Sequence, residues 1–248
     1  MDLLHGALGA DEDQALEIAV AHALLRGVSR GDSGAILRVY RPTAPVVAFS
    51  RRDSHLPGFD AAVRAARDAG FQPLVRPQGG RAVAYTEQSV VVDHVSPHPD
   101  FPAGLNDRFT DYGHLWAAVL REHGVDARVG AVPGEYCPGA YSVNARGVVK
   151  LVGTAQRLVR QAWLFSAVAI FDGAEVLRPL LTEIYAHLGL DFDGTSVGSV
   201  REEVPDLDLE RFESAVIASY GARIELTPTA LDDGVVSAAR GLAVDHRL

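Results

Sequence analysis

A single cysteine and a single lysine are the side chains of this sequence best suited to covalent chemistry. The chain has 248 residues, and its 23 basic side chains are 22 arginines and one lysine, Lys150. The only cysteine, Cys137, precedes it by 13 residues. A thiol reacts as its thiolate, and a nearby ammonium group lowers the thiol pKa. Because arginine supplies the other positive charges, we interpret Lys150 as a candidate partner of Cys137. The alternative is that compositional drift replaced lysine by arginine elsewhere and left Lys150 by chance.

The cysteine lies in Glu135–Tyr141 (EYCPGAY), where proline and glycine predict a loop. Loops carry functional groups more often than regular elements do. A lone cysteine in a cytosolic protein is also commonly a small buried apolar residue. Residue types alone therefore leave a nucleophile and an inert thiol as open alternatives for Cys137.

The lysine begins Lys150–Arg157 (KLVGTAQR), a predicted strand with small residues behind the lysine. Small side chains leave room for a ligand chain against the backbone. We therefore treat four residues after the lysine as candidate binding residues: Gly153, Thr154, Ala155 and Gln156. The structural alternative is a lysine at the solvated end of a strand.

A double glycine, Gly79-Gly80, forms a predicted bend between two strands and is flanked by Arg76 and Arg81. Two glycines let backbone amides approach a ligand closely, and arginines suit a carboxylate or phosphate. The strand–glycine–helix order of a phosphate-binding loop is missing, and a plain hairpin turn is the alternative. His94 and His98 lack a third residue at metal-ligand spacing, so we expect no metal site.

Charge and apolar patterning exclude several functional classes. With 23 basic and 32 acidic side chains, the formal net charge is −9, which argues against nonspecific binding to nucleic acid or anionic membranes. No apolar run reaches the ~18 residues that span a bilayer, and the first residues lack a signal-peptide pattern. We therefore expect a soluble cytoplasmic protein without nucleic-acid or membrane partners.

Apolar periodicity predicts interleaved helices and strands without the regular alternation of a doubly wound parallel sheet. The predicted fold class is therefore α+β, with a mixed or antiparallel central sheet flanked by helices. Asp11 and Asp13 are candidate caps of the first helix, and Pro97–Pro102 is a predicted loop. Helices are predicted over 12–26, 60–69, 108–123, 175–187, 209–220 and 229–239. Strands are predicted over 35–40, 45–50, 72–76, 81–85, 89–94, 143–154 and 162–171, with the last two joined around Gln156-Arg157.

Three segments together resemble the signature segments of the biotin/lipoate protein ligase superfamily. They are Val75–Tyr85 (VRPQGGRAVAY), Tyr136–Tyr141 (YCPGAY) and Lys150–Arg157 (KLVGTAQR). The likeness runs over roughly residues 35–200 and is nearest to the cysteine-dependent octanoyltransferases of the lipoyl amidotransferase branch. The resemblance implies a class II biotin/lipoate ligase-like fold. It leads us to expect a catalytic domain over 1–200 and a helical extension over 201–248 packed on the same domain.

The resemblance also implies roles. Cys137 would form an acyl-thioester and Lys150 would donate a hydrogen bond to the acyl carbonyl. The Arg76–Arg81 turn and Gly153–Gln156 would line the acyl channel. The branch moves octanoyl groups from the glycine cleavage H protein to the E2 subunits of 2-oxoacid dehydrogenases. The implied partners are thus lipoyl-domain proteins, with an acyl-carrier protein as another donor. We expect no cofactor, because an acyl-thioester needs no ATP.

Two other functions stay open. An ATP-dependent lipoate–protein ligase would form lipoyl-AMP, and a non-catalytic relative would bind lipoyl domains without turnover. Arg81 follows the double glycine where ATP-using ligases of the superfamily commonly have a third glycine or a serine. The basic pair that follows glutamine in the amidotransferase branch is reduced here to Arg157-Leu158, which leaves donor and acceptor choice open.

Overall fold

The computed structural model describes residues 1–9, 13–98 and 103–248. Within these ranges no helix is both long enough and apolar enough to cross a membrane. The helices are α1 Gln14–Arg30, α2 Phe59–Asp68, α3 Leu105–Glu122, α4 Ala174–Leu188, α5 Val200–Glu203, α6 Leu209–Gly221 and α7 Asp233–Leu242. The strands are β1 Asp2–His5, β2 Ile36–Tyr40, β3 Val46–Phe49, β4 Gln72–Val75, β5 Val83–Tyr85, β6 Ser89–His98, β7 Ala127–Val129, β8 Val143–Ala145, β9 Val149–Val159, β10 Gln161–Ile170 and β11 Thr227–Pro228.

Two sheets organise these elements. The large sheet has the strand order β11-β1-β2-β6-β10-β9-β8-β7. Its β11–β1 and β1–β2 pairs are parallel, and the other pairs are antiparallel. A second sheet has the order β4-β3-β5. The predicted α+β class with a mixed central sheet flanked by helices is therefore confirmed.

The large sheet is covered on both faces, and its side chains alternate between two apolar layers. In β2, Leu37 and Val39 pack with α3 and α6, whereas Ile36 and Tyr40 face the layer that contains α1, α4 and the small sheet. The run 90–92 in β6 alternates in the same way. Burial on both faces explains why these strands are almost continuously apolar in sequence.

The predicted strand 143–154 is wrong in its bounds, because it is two strands separated by a tight turn. Arg146 and Gly147 have positive φ values of 58° and 76°, and Asn144 accepts a hydrogen bond from the Gly147 N–H at 2.7 Å. The predicted bend at Gln156-Arg157 is also wrong. Strand β9 continues through both residues to Val159, since their polar side chains find partners beside the strand.

The ends of other elements differ from the predictions for local reasons. Strand β6 extends to His98, which contradicts the first part of the predicted loop 97–102; residues 99–102 lie outside the described ranges. Beyond Val95, β6 pairs only with β10, and such an edge tolerates Pro97. Asp13 caps α1 as predicted, whereas Asp11 and the predicted start at residue 12 lie outside the described ranges.

The segment after α7 bonds to the strand that precedes the double-glycine turn. The Val75 N–H donates to the His246 carbonyl at 2.9 Å, and His246 Nδ1 donates to the Val75 carbonyl at 2.7 Å. Helix α7 itself packs against α1. The end of β4 is thus held by residues from the far end of the sequence. The division of the chain at residue 200 stays a prediction.

Candidate active site

The loop between β7 and β8 carries Cys137 in a strained backbone conformation. Its φ of 43° lies in the left-handed region, which residues with a side chain rarely adopt unless the surroundings enforce it. The Cys137 N–H donates to Tyr185 Oη of α4 at 2.5 Å, and Oη donates to the Ala82 carbonyl at 3.0 Å. Tyr185 therefore ties the cysteine loop to the chain that enters β5.

The double-glycine turn lies directly against the cysteine sulfur. Cys137 Sγ accepts hydrogen bonds from the Arg81 backbone N–H at 3.2 Å and from Arg76 Nη2 at 3.5 Å. A Cβ on Gly80 would lie 2.6 Å from both Sγ and Arg76 Nη2, and the φ of Gly80 is +108°. Only glycine fits here without displacing the sulfur, so the second glycine of the turn is a requirement of the site.

These contacts stabilise the thiolate. Burial alone would raise the pKa of the Cys137 thiol. The charges of Arg76 and Lys150 oppose this effect, as do the hydrogen bonds from Arg81 and Arg76, and together they hold the pKa below its usual value. A partly buried thiol with a lowered pKa beside cations is typical of a nucleophilic cysteine.

Lys150, at the start of β9, contacts the same loop through its ammonium group. Its side chain is 2% exposed. Nζ donates to the carbonyls of Cys137 at 2.9 Å and Tyr136 at 3.0 Å, and it pairs with Glu135 Oε2 at 2.8 Å. The structure thus brings the lone lysine and the lone cysteine into one cluster. An ammonium group has three donors, and here all three have acceptors.

Glu135 is a buried site residue to which the sequence analysis gives no role. Besides pairing with Lys150, its carboxylate accepts hydrogen bonds from the Ser142 hydroxyl at 2.6 Å and the Val132 N–H at 3.0 Å. It therefore shapes the cysteine loop and neutralises the lysine. The sequence did contain a signal for this role. A buried ammonium group needs a carboxylate partner, and Glu135 lies only two residues before Cys137.

Cys137 lies between two cavities. The outer cavity is open to solvent, and the inner cavity is narrow and has mainly apolar walls. Among the predicted site residues, the outer cavity is lined by Gly79, Gly80, Cys137, Thr154, Ala155 and Gln156. The inner cavity is lined by Arg76, Cys137, Lys150, Gly153 and Thr154. Nine of the ten predicted residues thus line one cavity or the other.

Arg81 is the exception. Its side chain turns away to pair with buried Asp53, with Nη1 3.2 Å from Oδ1. Only its backbone N–H faces the sulfur. If Arg81 contributes to the predicted acyl channel, it does so through its backbone N–H and not through its side chain. Asp53 and Tyr185 are further residues of the site to which the sequence patterns assigned no role.

One wall of the outer cavity is formed by aromatic and polar side chains. The rings of Phe109 and Tyr141 stack with centroids 5.2 Å apart and an interplanar angle of 5°. Gln156 Oε1 accepts from Arg108 Nε at 2.9 Å, and its Nε2 donates to the Leu105 carbonyl at 2.9 Å. These bonds fix Gln156 at the entrance. In the described ranges, no three His, Cys, Asp or Glu side chains are grouped as metal ligands would be.

Comparison with known proteins gives consistent results. Over 177 residues the chain is 28% identical to an octanoyl-[GcvH]:protein N-octanoyltransferase of Geobacillus kaustophilus; the match covers 71% of this chain. Crystallised lipoate-protein ligase A bound with ATP superposes with a TM-score of 0.77 at 20% identity, covering 98% of this chain and 94% of that one. A bipartite lipoate protein ligase of Thermoplasma acidophilum, solved in a study with its E2 lipoyl domain, gives 0.73 at 19% identity, with 98% and 92% coverage.

The structural neighbours confirm the fold, including its likeness to lipoate ligases. The chain spans between 46% and 62% of the length of the first curated relatives it matches. Residues 13–221 match the sequence family described as "Lipoyl protein ligase A/B catalytic domain", and this range contains Cys137, Lys150 and the double-glycine turn. The chain is therefore a member of the lipoyl protein ligase A/B catalytic domain family, as the resemblance in its signature segments predicted.

Proposed function

We propose that this protein is a cysteine-dependent acyltransferase that moves octanoyl or lipoyl groups onto lysines of lipoyl domains. One observation carries the proposal: the only thiol has a lowered pKa and lies where an apolar inner cavity meets an open outer one. The inner cavity suits an acyl chain. The outer cavity suits the lysine side chain that delivers or receives it.

In the first step, the Cys137 thiolate attacks the acyl carbonyl of an octanoyl- or lipoyl-lysine. The new S–C bond forms as the C–N bond breaks, and the leaving amine takes up a proton. The carrier is then released, leaving the acyl group on the sulfur. With an acyl-carrier thioester as donor, a C–S bond breaks instead and a thiol leaves.

In the second step, a lysine amine of the acceptor attacks the thioester, the S–C bond breaks, and the thiolate is regenerated as the amine loses its proton. An amide donor and an amide product have bonds of the same kind, so the exchange needs no ATP. The donors beside the sulfur, the Arg81 N–H and Arg76 Nη2, support a role in stabilising negative charge on the carbonyl oxygen.

Lys150 remains our proposed additional donor to the acyl carbonyl. Its position on the Cys137 carbonyl supports this role. To donate to a substrate, the ammonium must release one of its three acceptors. Its charge acts on the thiolate in either state.

The partner follows from the relatives. Their names specify the H protein GcvH, and one structural neighbour was studied with an E2 lipoyl domain. We propose a lipoyl domain as donor and acceptor, with GcvH as the first candidate donor and E2 as a candidate acceptor. An acyl-carrier protein remains the alternative donor, and the cytoplasm remains the predicted location.

Intact-mass spectrometry tests the proposal. The protein is mixed separately with octanoyl-GcvH and octanoyl-acyl-carrier protein, and Cys137→Ala is the matched control. We expect an octanoyl adduct on Cys137 with one donor, its transfer to an apo lipoyl domain, and no transfer by the variant. Full transfer by Cys137→Ala excludes the mechanism. Pyrophosphate release from lipoate and ATP, with an apo acceptor, identifies a ligase instead, and lipoyl-domain binding without transfer identifies a non-catalytic relative.

A further inference from the structure

A third cavity, which we call the deep cavity, lies next to the inner cavity. Arg76, Val83 and Val168 line both cavities, so the two spaces meet at these residues. Apolar residues of α1, including Ile18 and Ala21, line part of the deep cavity. An acyl chain attached to Cys137 and lying along the inner cavity would extend its distal end into this space.

The deep cavity is not purely apolar. Besides Arg76, five polar residues contribute to its wall, and we call these five the polar floor: Tyr40, Gln78, Tyr85, Asp93 and Ser166. All five are at least nine-tenths buried. Buried polar groups cost free energy of folding unless they are hydrogen-bonded. A pocket that binds only a hydrocarbon chain gains nothing from several such groups in its wall.

Three members of the polar floor form a connected network. Strand register places Asp93 of β6 opposite Ser166 of β10. The Ser166 hydroxyl donates to Asp93 Oδ1, and Gln78 Nε2 donates to Ser166 Oγ at 2.6 Å. Gln78 belongs to the double-glycine turn, so the network joins the floor directly to the turn that holds the cysteine sulfur.

The two tyrosines provide hydroxyl groups near Asp93. Burial raises the pKa of both phenols, and the charge of Asp93 raises it further, so both keep their protons. Burial likewise raises the pKa of Asp93. In the described part of the chain, neither tyrosine hydroxyl has a hydrogen-bond partner. The polar floor therefore offers donors to a ligand.

We propose that the polar floor selects acyl chains that carry a hydrogen-bond acceptor near their distal end over plain hydrocarbon chains. The inference rests on the proposed acyl transfer. A methyl end would displace water from the polar floor and replace none of its hydrogen bonds, whereas an oxygen or sulfur atom would accept them. The acceptor can be a ring sulfur of a lipoyl group or the oxygen of a hydroxylated chain, and separate donors distinguish the two.

The test compares three thioester donors on one carrier: octanoyl, lipoyl and 8-hydroxyoctanoyl. The measured quantity is the rate at which each forms an adduct on Cys137. We expect lipoyl or 8-hydroxyoctanoyl to react at least about tenfold faster than octanoyl, because a site that hydrogen-bonds a group discriminates against the analogue lacking it. A rate for octanoyl equal to or above both others overturns the inference and leaves acyl transfer standing.

Binding provides a second measurement that needs no transfer. Calorimetric titration of the Cys137→Ala protein with octanoate, lipoate and 8-hydroxyoctanoate should show the same order of affinity. This titration distinguishes the proposed acyl transfer from the proposed selection by the polar floor. Selective binding of the acids, without adduct formation in the unmodified protein, contradicts the acyl transfer and not the selection. Equal binding of all three acids contradicts the polar floor.

Variants locate the effect. Ser166→Ala breaks the network, and the double variant Tyr40→Phe/Tyr85→Phe removes only two hydroxyls, which keeps the test usable if the first variant folds poorly. Both should lose most of the preference for polar chains. Tyr220→Phe is the matched control, since Tyr220 is buried in the other apolar layer and should leave the preference intact. A folded floor variant with unchanged preference overturns the inference.

Discussion

The Arg76 guanidinium lies against the sulfur of Cys137, with Nη2 3.5 Å from Sγ, although 61 residues separate them in sequence. The same Nη2 donates to the Arg81 carbonyl at 2.9 Å, which fixes the guanidinium over the double-glycine turn. The cation in direct contact with the sulfur of the proposed nucleophile is thus an arginine. Lys150 does not contact the sulfur and instead donates to the backbone carbonyl of Cys137.

Replacing Arg76 should therefore make the thiol less reactive at neutral pH. In Arg76→Gln we expect the pKa of Cys137 to rise, so that less thiolate is present below that pKa and alkylation by iodoacetamide at pH 7 slows several-fold. The measurement is the alkylation rate against pH, which reports a single site in this one-cysteine chain. Arg157→Gln is the control, since Arg157 contacts the same turn at the Pro77 carbonyl. An unmoved midpoint in Arg76→Gln would refute the assignment.

The two glycines of the turn should respond differently to the same substitution. A Cβ on Gly80 meets Cys137 Sγ at 2.6 Å in a left-handed backbone, whereas a Cβ on Gly79 meets nothing within 4 Å. We expect Gly80→Ala to reduce acyl-adduct formation at least tenfold and Gly79→Ala to retain most of it. Adduct rates and melting temperatures of both variants check this. Equal rates in the two variants would show that the contact is unimportant.

Breaking the buried Lys150–Glu135 pair should destabilise the fold. Glu135→Gln leaves an uncompensated buried ammonium, and a loss of about 3–5 kcal/mol in the free energy of unfolding is expected. Lys150→Met should cost a similar amount, while the double variant should cost clearly less than the sum of both. The measurement is a double-mutant cycle: urea denaturation of the unmodified protein, the two single variants and the double variant. Strictly additive losses would mean that the pair is not coupled.

The conservative variant Lys150→Arg should also fail in transfer. A planar guanidinium cannot place donors on Glu135 Oε2 and two backbone carbonyls in the space of an ammonium group. We expect acyl transfer to fall by about two orders of magnitude, as when an oxyanion donor is removed. Single-turnover transfer from octanoyl-GcvH measures it, with far-ultraviolet circular dichroism as the folding control. A near-normal rate would reject the role proposed for the lysine.

A histidine pair should make the fold acid-sensitive. Burial and the neighbouring charges of His246, Arg157 and Arg26 lower the pKa of His22 to about 4. Between pH 6.5 and 4 the unfolded chain therefore binds a proton at His22 that the folded chain does not. Stability falls with falling pH by up to about 1.4 kcal/mol per pH unit from this group. His22→Gln should flatten this part of the curve in urea denaturation, and the exposed His114→Gln should not. Parallel curves for both variants would contradict the assignment.

Sequence reasoning singled out the proposed catalytic residues because their types are rare in this chain. Cysteine and lysine occur once each, as Cys137 and Lys150, and Gly80 belongs to a recognisable double glycine. Tyr185 shows the limit. It occupies an ordinary core position of α4, 48 residues after Cys137, and its role depends on a hydroxyl that reaches the cysteine loop through tertiary packing.

The misplaced strand ends have a similar cause. Gln156 and Arg157 are polar, and polarity in sequence favoured a turn there. In the structure they remain in β9 because Arg108 and the Pro77 carbonyl satisfy them from other elements. Local patterns contain no information about such distant partners, whereas the alternation within β2 and β6 reports directly on two covered faces.

The pairing of His246 with Val75 has a practical consequence for anyone shortening this chain. The segment matched to the family ends at residue 221, so a fragment made to those limits would keep every residue that touches the sulfur. It would nevertheless lose the hydrogen bonds that hold the last residue of β4, next to Arg76. We therefore expect a fragment that ends at residue 221 to hold the Arg76 guanidinium less firmly. The reactivity of Cys137 measured in such a fragment should be lower than that in the 248-residue chain.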